Sequence, residues 1–332
     1  MSFQSIHGHN RQIRFILAAL NQNRIPHAYL FSGMTGVGKR TVALALAKMI
    51  NCTGKKTSSD ACNRCPSCLK MDHGNHPDIL CVEPEGQYIR IKAIRDLQAQ
   101  MQYNPLEGKS RVIVIDDADR MNITSANALL KTLEEPAPGN LLILITGNPH
   151  GLPRTILSRC QQIRFFPLGR EIIAAYLEEH LALNKGDAAM IAGAAGGSLA
   201  QAIGMAQGDY KAFRDQALDD LMAIHNNTLL KLLSFSSDFG KDREDIIQKL
   251  DVIRSCYRDA MIYRETGRED ALINRDRMDI IGGMACRLDG RDLLERLHAV
   301  EHALQAIDQN ANKALTLEAM MFKLAQQRRQ EA

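Results

Sequence analysis

The chain has 332 residues, 45% of them hydrophobic and 24% charged, which is enough for two or three domains with their own cores and excludes a disordered or low-complexity protein. Its 41 Lys+Arg against 38 Asp+Glu leave a net charge of +3, so bulk charge gives no case for nucleic acid and any such contact needs a local patch. No apolar run approaches the ~20 residues that span a bilayer, and the opening Met-Ser-Phe-Gln lacks the basic-then-apolar plan of a secretory signal; a cytoplasmic chain with reduced thiols is expected.

Residues 11–22 place Ile13, Ile16, Leu17 and Leu20 on one helical face. Ala28 to Phe31 is a short apolar strand, followed by a Gly-rich turn and an Ala/Leu helix from Val42 to Ile50. Arg111 to Ile115 and Leu141 to Ile145 read as buried parallel strands, with a helix from Thr124 to Glu135 between them that Pro136 helps to end. All ten prolines lie between Pro26 and Pro167. The remainder is therefore expected to be helical, with helices over 169–184 and 187–206 around the turn Ala194-Ala195-Gly196-Gly197-Ser198, and further ones over 243–265, 290–309 and 313–328.

Gly33-Met34-Thr35-Gly36-Val37-Gly38-Lys39 fits G-x-x-x-x-G-K between a strand and a helix. Gly33, Gly36 and Gly38 let backbone N–H groups turn toward phosphates, and Lys39 would reach the β and γ phosphates of a nucleotide; the plainer reading is a turn that merely starts a helix. The next position usually carries a Mg²⁺-binding hydroxyl, but here it is Arg40, with Thr41 one step later and about 100° around the helix. The strand ending in Asp116-Asp117 suits a metal-shell carboxylate followed by a water-polarising one, although Asp117 is shorter than the usual Glu by about 1.5 Å. An isolated strand ending in solvated acids would look the same.

Cys52, Cys62, Cys65 and Cys68 have the spacing C-x9-C-x2-C-x2-C, which suits a closed tetrahedral Zn²⁺ site with a structural role; free cysteines or an iron–sulfur cluster are the alternatives. Four sulfurs saturate such a metal, so His73 and His76 are expected to be structural. Cys81, Cys160, Cys256 and Cys286 read as ordinary small buried residues.

These motifs, with Ser158-Arg159-Cys160, resemble the AAA+ clamp-loader ATPases of bacterial DNA polymerase III. The resemblance is carried by His27–Gly33, Asn127–Pro136 and Leu152–Cys160, and it extends into the C-terminal helices through Tyr257-Arg258-Asp259 and Asn312–Ala319. It implies an α/β AAA+ P-loop core over 1–168 with a zinc-binding insertion at about 52–76, a small helical lid over 169–207, and an all-α collar over 208–332. It also implies a ring of five subunits that uses ATP to load a sliding clamp onto primer–template DNA, with gamma/tau and delta subunits as partners.

The same resemblance makes Arg159 an arginine finger acting in trans on a neighbour's γ phosphate, and puts Thr146 and Asn148 where a sensor group would contact nucleotide. A surface arginine paired with an acid is the bland alternative. The family's motors carry Ser/Thr, Glu and a sensor Arg where this chain has Arg40, Asp117 and Ala200. The resemblance thus implies a stator that binds ATP or ADP, with Mg²⁺, weakly or without turnover, inside a polymerase holoenzyme; the alternative is a gamma/tau-type motor that hydrolyses ATP itself. Arg90, Lys92 and Arg95 beside a helix start suit DNA phosphates or a solvated helix face.

Overall fold

A computed structural model describes residues 2–54, 60–226, 239–240 and 242–325; residues 55–59 of the cysteine insertion and the end of the helix expected over 313–328 lie outside the described residues. Five strands form one parallel sheet: β1 (Ala28–Ser32), β2 (Ile79–Val82), β3 (Arg111–Ile115), β4 (Asn140–Thr146) and β5 (Gln161–Arg164), in the order β2-β3-β4-β1-β5. The three central strands are apolar through their middles because both faces are covered there. Alternation assigns Tyr29, Phe31, Val112, Val114, Leu141, Ile143 and Ile145 to the core shared with α1 (Asn10–Asn21) and α2 (Lys39–Asn51). Leu30, Ile113, Ile115, Leu142 and Leu144 enter the opposite core, with α4 (Ile91–Met101) and α5 (Ile123–Glu134). A short α3 (Pro66–Asp72) follows the cysteine pair at 62 and 65.

The chain forms two compact units, residues 1–176 with 196–203 and residues 177–195 with 204–332. The first holds the sheet, α6 (Arg154–Leu157) and most of the first turns of α7 (Arg170–Leu181). The second holds α8 (Lys185–Ala194), α10 (Tyr210–Asn226), α11 (Arg243–Thr266), α12 (Met278–Arg287), α13 (Gly290–Asp308) and α14 (Lys313–Ala325); α9 (Leu199–Gln207) straddles the division. Among the described residues no strand follows β5, and no helix is long and apolar enough to cross a membrane.

In the second unit α11 packs against α10, α12 and α13. Asp242 and Asp289 accept from the N–H groups of Asp245 and Asp292 at 2.9 and 2.7 Å, which caps α11 and α13. Asp259, fully buried in α11, accepts from the backbone N–H groups of Ile273 and Asn274 and so fixes the turn before α12.

Two of the cysteines differ from expectation. Cys81 is exposed because β2 is an edge strand, and Cys286 is exposed because it follows the core residues Met284 and Ala285 around α12 onto the solvent side. Cys160 and Cys256 are buried.

One buried carboxylate organises the base of the sheet. Asp78 accepts from the N–H groups of Leu106, Glu107 and Gly108 at 2.7, 2.8 and 2.8 Å, and Arg111 at the start of β3 lies 3.4 Å away. Burial pushes this carboxyl up, but the three amide donors and Arg111 outweigh burial and hold it below the ordinary carboxylate range. Its contribution is therefore complete above about pH 4, the unfolded value, and is lost as pH falls through the lower folded value. Asp78→Ala is expected to destabilise the first unit by about 3–5 kcal/mol at neutral pH, because Arg111 is left buried without its counter-charge. Urea denaturation followed by circular dichroism measures it; an unchanged midpoint would show that the carbonyls of Gln100, Tyr103 and Asn104, to which Arg111 also donates, satisfy it alone.

Candidate nucleotide and metal sites

The loop Gly33–Lys39 joins the end of β1 to the start of α2, as a phosphate-binding loop requires. Gly33 has φ +144 and Gly36 has φ +79, and a Cβ on either would collide, with the Phe165 carbonyl and the Ser198 hydroxyl respectively. Only glycine fits these two positions, so the loop's path is set by sequence. Ala200 then donates its N–H to the Gly36 carbonyl at 3.0 Å, so the residue standing at the expected sensor position touches the loop with its backbone.

A cavity of about 490 Å³ opens in front of the loop. Gly36, Gly38, Lys39, Arg40, Thr41, Asp116 and Asp117 line it, together with Ser5, Ile6 and His7 from the N-terminal segment. Lys39 is buried and its Nζ donates to the carbonyls of Gly33 and Met34 at 2.5 and 2.8 Å. Burial lowers the Lys39 pKa against the opposing pull of Asp116, Asp117 and Asp119.

Asp116 and Asp117 stand at the end of β3, one strand away from β4 and two from β1. Arg40 Nη1 lies 3.5 Å from Asp116 Oδ2, and its Nη2 is paired with Glu83 just beyond β2. Burial raises the Asp116 pKa, while Arg40 pulls it down. Asp117 has a left-handed backbone, φ 45, and its carboxylate lies 3.6 Å from Arg120 Nε.

Gly33 and Thr146 are not among the lining residues. Thr146 is fully buried: its hydroxyl donates to Asp119 at 2.5 Å and accepts from the Asn148 N–H at 2.9 Å. Glu83, Asp119 and the N-terminal segment were not visible as site residues in the sequence. Glu83 becomes significant only once β2 is known to pair with β3, and Ser5 to His7 carry no motif.

The four cysteines converge. Cys52 caps the C-terminus of α2, Cys65 caps the N-terminus of α3, and one sulfur from each of Cys52, Cys62, Cys65 and Cys68 lies within 4.8 Å of the others. Backbone N–H groups of Cys62, Cys65 and Cys68 donate to the sulfurs of Cys52, Cys62 and Cys65 at 3.3, 3.3 and 3.4 Å, which fixes the sulfurs in place. This donor set fits a metal held entirely by sulfur.

His76 is buried beside the cluster with both ring nitrogens engaged. The Asp78 N–H donates to its Nδ1, so a neutral ring carries hydrogen on Nε2 and donates to Ser67, whose hydroxyl donates to the Asn51 carbonyl. His73 is exposed at the end of α3. Asp60 ties the insertion to the cavity's wall, accepting from the N–H groups of Phe3 and Gln4, both at 3.2 Å.

Arg159 follows α6 and is partly exposed. Its Nη2 lies 2.7 Å from Glu134 Oε1 at the end of α5, and its Nη1 donates to the Thr155 carbonyl at 3.0 Å. It is not among the cavity's lining residues. Arg90, Lys92 and Arg95 are exposed at the start of α4.

The family model described as DNA polymerase III, delta subunit, matches residues 8–169, and the one described as DNA polymerase III, delta subunit, C terminal, matches residues 209–326. DNA polymerase III subunit delta' of Bacillus subtilis is 30% identical over 318 residues, covering 95% of each chain. Subunit delta' of Pseudomonas aeruginosa is 39% identical over 138 residues, 41% of this chain and 42% of that one. DNA polymerase III subunit tau of Escherichia coli is 36% identical over 209 residues, 61% of this chain but 32% of tau. The chain belongs to the DNA polymerase III delta-prime family, and its first unit is an α/β fold built on one five-stranded parallel sheet.

The cysteine geometry leads to a direct measurement. Protein purified without chelator is expected to release about one metal ion per chain when its thiols are titrated, and Cys68→Ser to release essentially none. Acidification should release the same metal, since the sulfurs bind as thiolates. Metal analysis of both proteins across pH checks this; equal metal content in the variant would remove the site.

Proposed function

We propose that this chain is the stator of a DNA polymerase III clamp loader, assisting its neighbours' ATP hydrolysis rather than performing its own. The observation that carries the reading is an asymmetry. Arg159 is held at the surface by an exposed acid, Glu134, and by neutral acceptors of its own helix turn, whereas the chain's own cavity has an arginine, Arg40, on the carboxylate that a metal would need.

A surface ion pair such as Arg159–Glu134 is worth about 0–1 kcal/mol. The guanidinium can therefore exchange Glu134 for a neighbouring subunit's γ phosphate at little cost. Its contribution there is charge stabilisation in the transition state, worth roughly 10³–10⁵ in rate for arginine fingers. Within this reading Asp116, Asp117 and Thr146 keep the places of catalytic groups without the partners that hydrolysis requires: Asp117 is drawn toward Arg120, and the Thr146 hydroxyl is engaged by Asp119.

The same proposal includes Zn²⁺ on Cys52, Cys62, Cys65 and Cys68, a core over 1–168, a lid over 169–207 and a collar over 208–332. The collar joins a five-membered ring with gamma/tau and delta subunits, which acts on the sliding clamp and primer–template DNA. Arg90, Lys92 and Arg95 supply exposed positive charge for DNA phosphates.

Reconstitution with motor and delta subunits tests the reading. Arg159→Ala should assemble normally and lower turnover at the one site it faces by roughly 10³ or more, with Arg159→Lys recovering only part because its point charge lacks the planar fork. Glu134→Gln should leave that turnover intact or raise it. Unchanged DNA-dependent ATPase in Arg159→Ala rings would refute the stator role, and ATP turnover by the isolated chain that Lys39→Ala abolishes would establish a motor instead.

A further inference from the structure

We propose that the P-loop cavity takes a nucleoside di- or triphosphate without a divalent cation, Arg40 supplying the positive charge that magnesium supplies in ordinary P-loop sites. This rests on the cavity being a nucleotide site and is independent of the role given to Arg159.

Magnesium demands near-octahedral oxygen coordination at about 2.0–2.1 Å, and P-loop sites offer it the hydroxyl after the lysine and a strand-end carboxylate. Neither is free here. The hydroxyl position is Arg40, and the carboxylate, Asp116, has the Arg40 guanidinium 3.5 Å away. A dication placed on Asp116 would sit against a fixed monocation, and the repulsion between them is strongest where burial has removed water.

The guanidinium is also anchored from outside the motif. Glu83, beyond the end of β2, pairs with Nη2 of Arg40 while Asp116 faces Nη1, so the side chain bridges the start of α2 and the ends of two strands. Burial works against the charge on Arg40, but Glu83 and Asp116 more than offset it and keep the group protonated. Arg40 remains a lining residue of the cavity, 44% exposed in its side chain, and so can turn donors toward a phosphate while keeping an acid behind it.

Positive charge is available to a phosphate chain even though Asp116 and Asp117 also line the cavity. Lys39 and Arg40 bring two positive charges, and the first N–H groups of α2 add to them. Arginine also suits phosphate geometrically, because its planar fork donates two parallel hydrogen bonds to one phosphoryl group. Lys39, which now donates to the Gly33 and Met34 carbonyls, has only to exchange those acceptors for phosphate oxygens.

Calorimetric titration of the full chain with ADP, in magnesium-free buffer and again with excess magnesium, tests the idea without stripping the cysteine site. The wild type should bind ADP in magnesium-free buffer and gain less than about twofold from added magnesium. Arg40→Ala should weaken magnesium-free binding by about tenfold or more, and Arg40→Ser, which restores the hydroxyl and frees Asp116, should bind at least about tenfold tighter with magnesium than without. Wild-type binding that needs magnesium would overturn the proposal. So would Arg40→Ala binding as tightly as wild type in magnesium-free buffer. Absence of ADP binding in both buffers would overturn the cavity's assignment along with it, while leaving the ring assay of Arg159 to stand or fall separately.

Discussion

Parallel pairing of three adjacent strands is the constraint from which the rest of the first unit follows. β1 pairs with β4 from Ala28 opposite Leu142 to Ser32 opposite Thr146, and β3 pairs with β4 from Arg111 opposite Asn140 to Ile115 opposite Leu144. With all strands running the same way, their C-terminal ends form one rim, where ligands of open α/β sheets bind. The phosphate loop leaves that rim after Ser32, the acids after Ile115, and the engaged hydroxyl is Thr146 itself. A slip of one residue would exchange the two faces of a strand, putting Val112 and Val114 where Ile113 and Ile115 now pack, so apolar burial holds the rim as well as the core.

Electrostatics at that rim are crowded with acids. Asp116, Asp117, Asp119 and Glu83 face three cations, Lys39, Arg40 and Arg120, and each acid has been given an internal partner: Arg40 for Asp116 and Glu83, Arg120 for Asp117, and the Thr146 hydroxyl for Asp119. A site built for hydrolysis must leave its metal-binding and water-polarising groups aimed at the substrate. Here the same groups are satisfied before any substrate arrives. That internal satisfaction fits the proposed role of holding a phosphate chain rather than breaking one.

Much of this was legible in the sequence because its physical signals are local. The β-branched run Arg111–Ile115, the glycine spacing of the phosphate loop, the four cysteines and the proline-free second half each announce themselves within a few residues, and the helices expected near 243–265 and 290–309 are found at 243–266 and 290–308. The edge strands did not. β5 is Gln-Gln-Ile-Arg, with one buried residue, and β2 is short and lies between Asp78 and Glu83, so neither carries the continuous apolar run that marks a strand covered on both faces. Glu83, Asp60 and Asp119 were hidden for a related reason: each matters through a partner tens of residues away, and a single acid in a sequence does not say which cation, hydroxyl or amide it will meet.

Helix α2 connects the two sites that the sequence presents as separate. It begins at Lys39 in the P-loop and ends at Asn51, with Cys52 as its C-cap, so one rigid element of 13 residues, about 20 Å at 1.5 Å per residue, carries the proposed phosphate ligand at one end and a proposed metal ligand at the other. The far end is held three ways: Lys48 is buried against Asp72 of α3, the Asn51 side chain exchanges hydrogen bonds with the backbone of Ser110, and the Asn51 carbonyl accepts from Ser67. Asp60 returns from the same insertion to fix the N-terminal segment, whose Ser5, Ile6 and His7 form a wall of the cavity, and His9 Nε2 lies 2.8 Å from the Val37 carbonyl within the phosphate loop. A metal closing the four-cysteine site would therefore brace the proposed nucleotide cavity from two directions, through the axis of α2 and through the N-terminal segment. In the proposed role, holding a ligand without turning it over, such bracing would serve rigidity, and a structural metal with no open coordination position is suited to that.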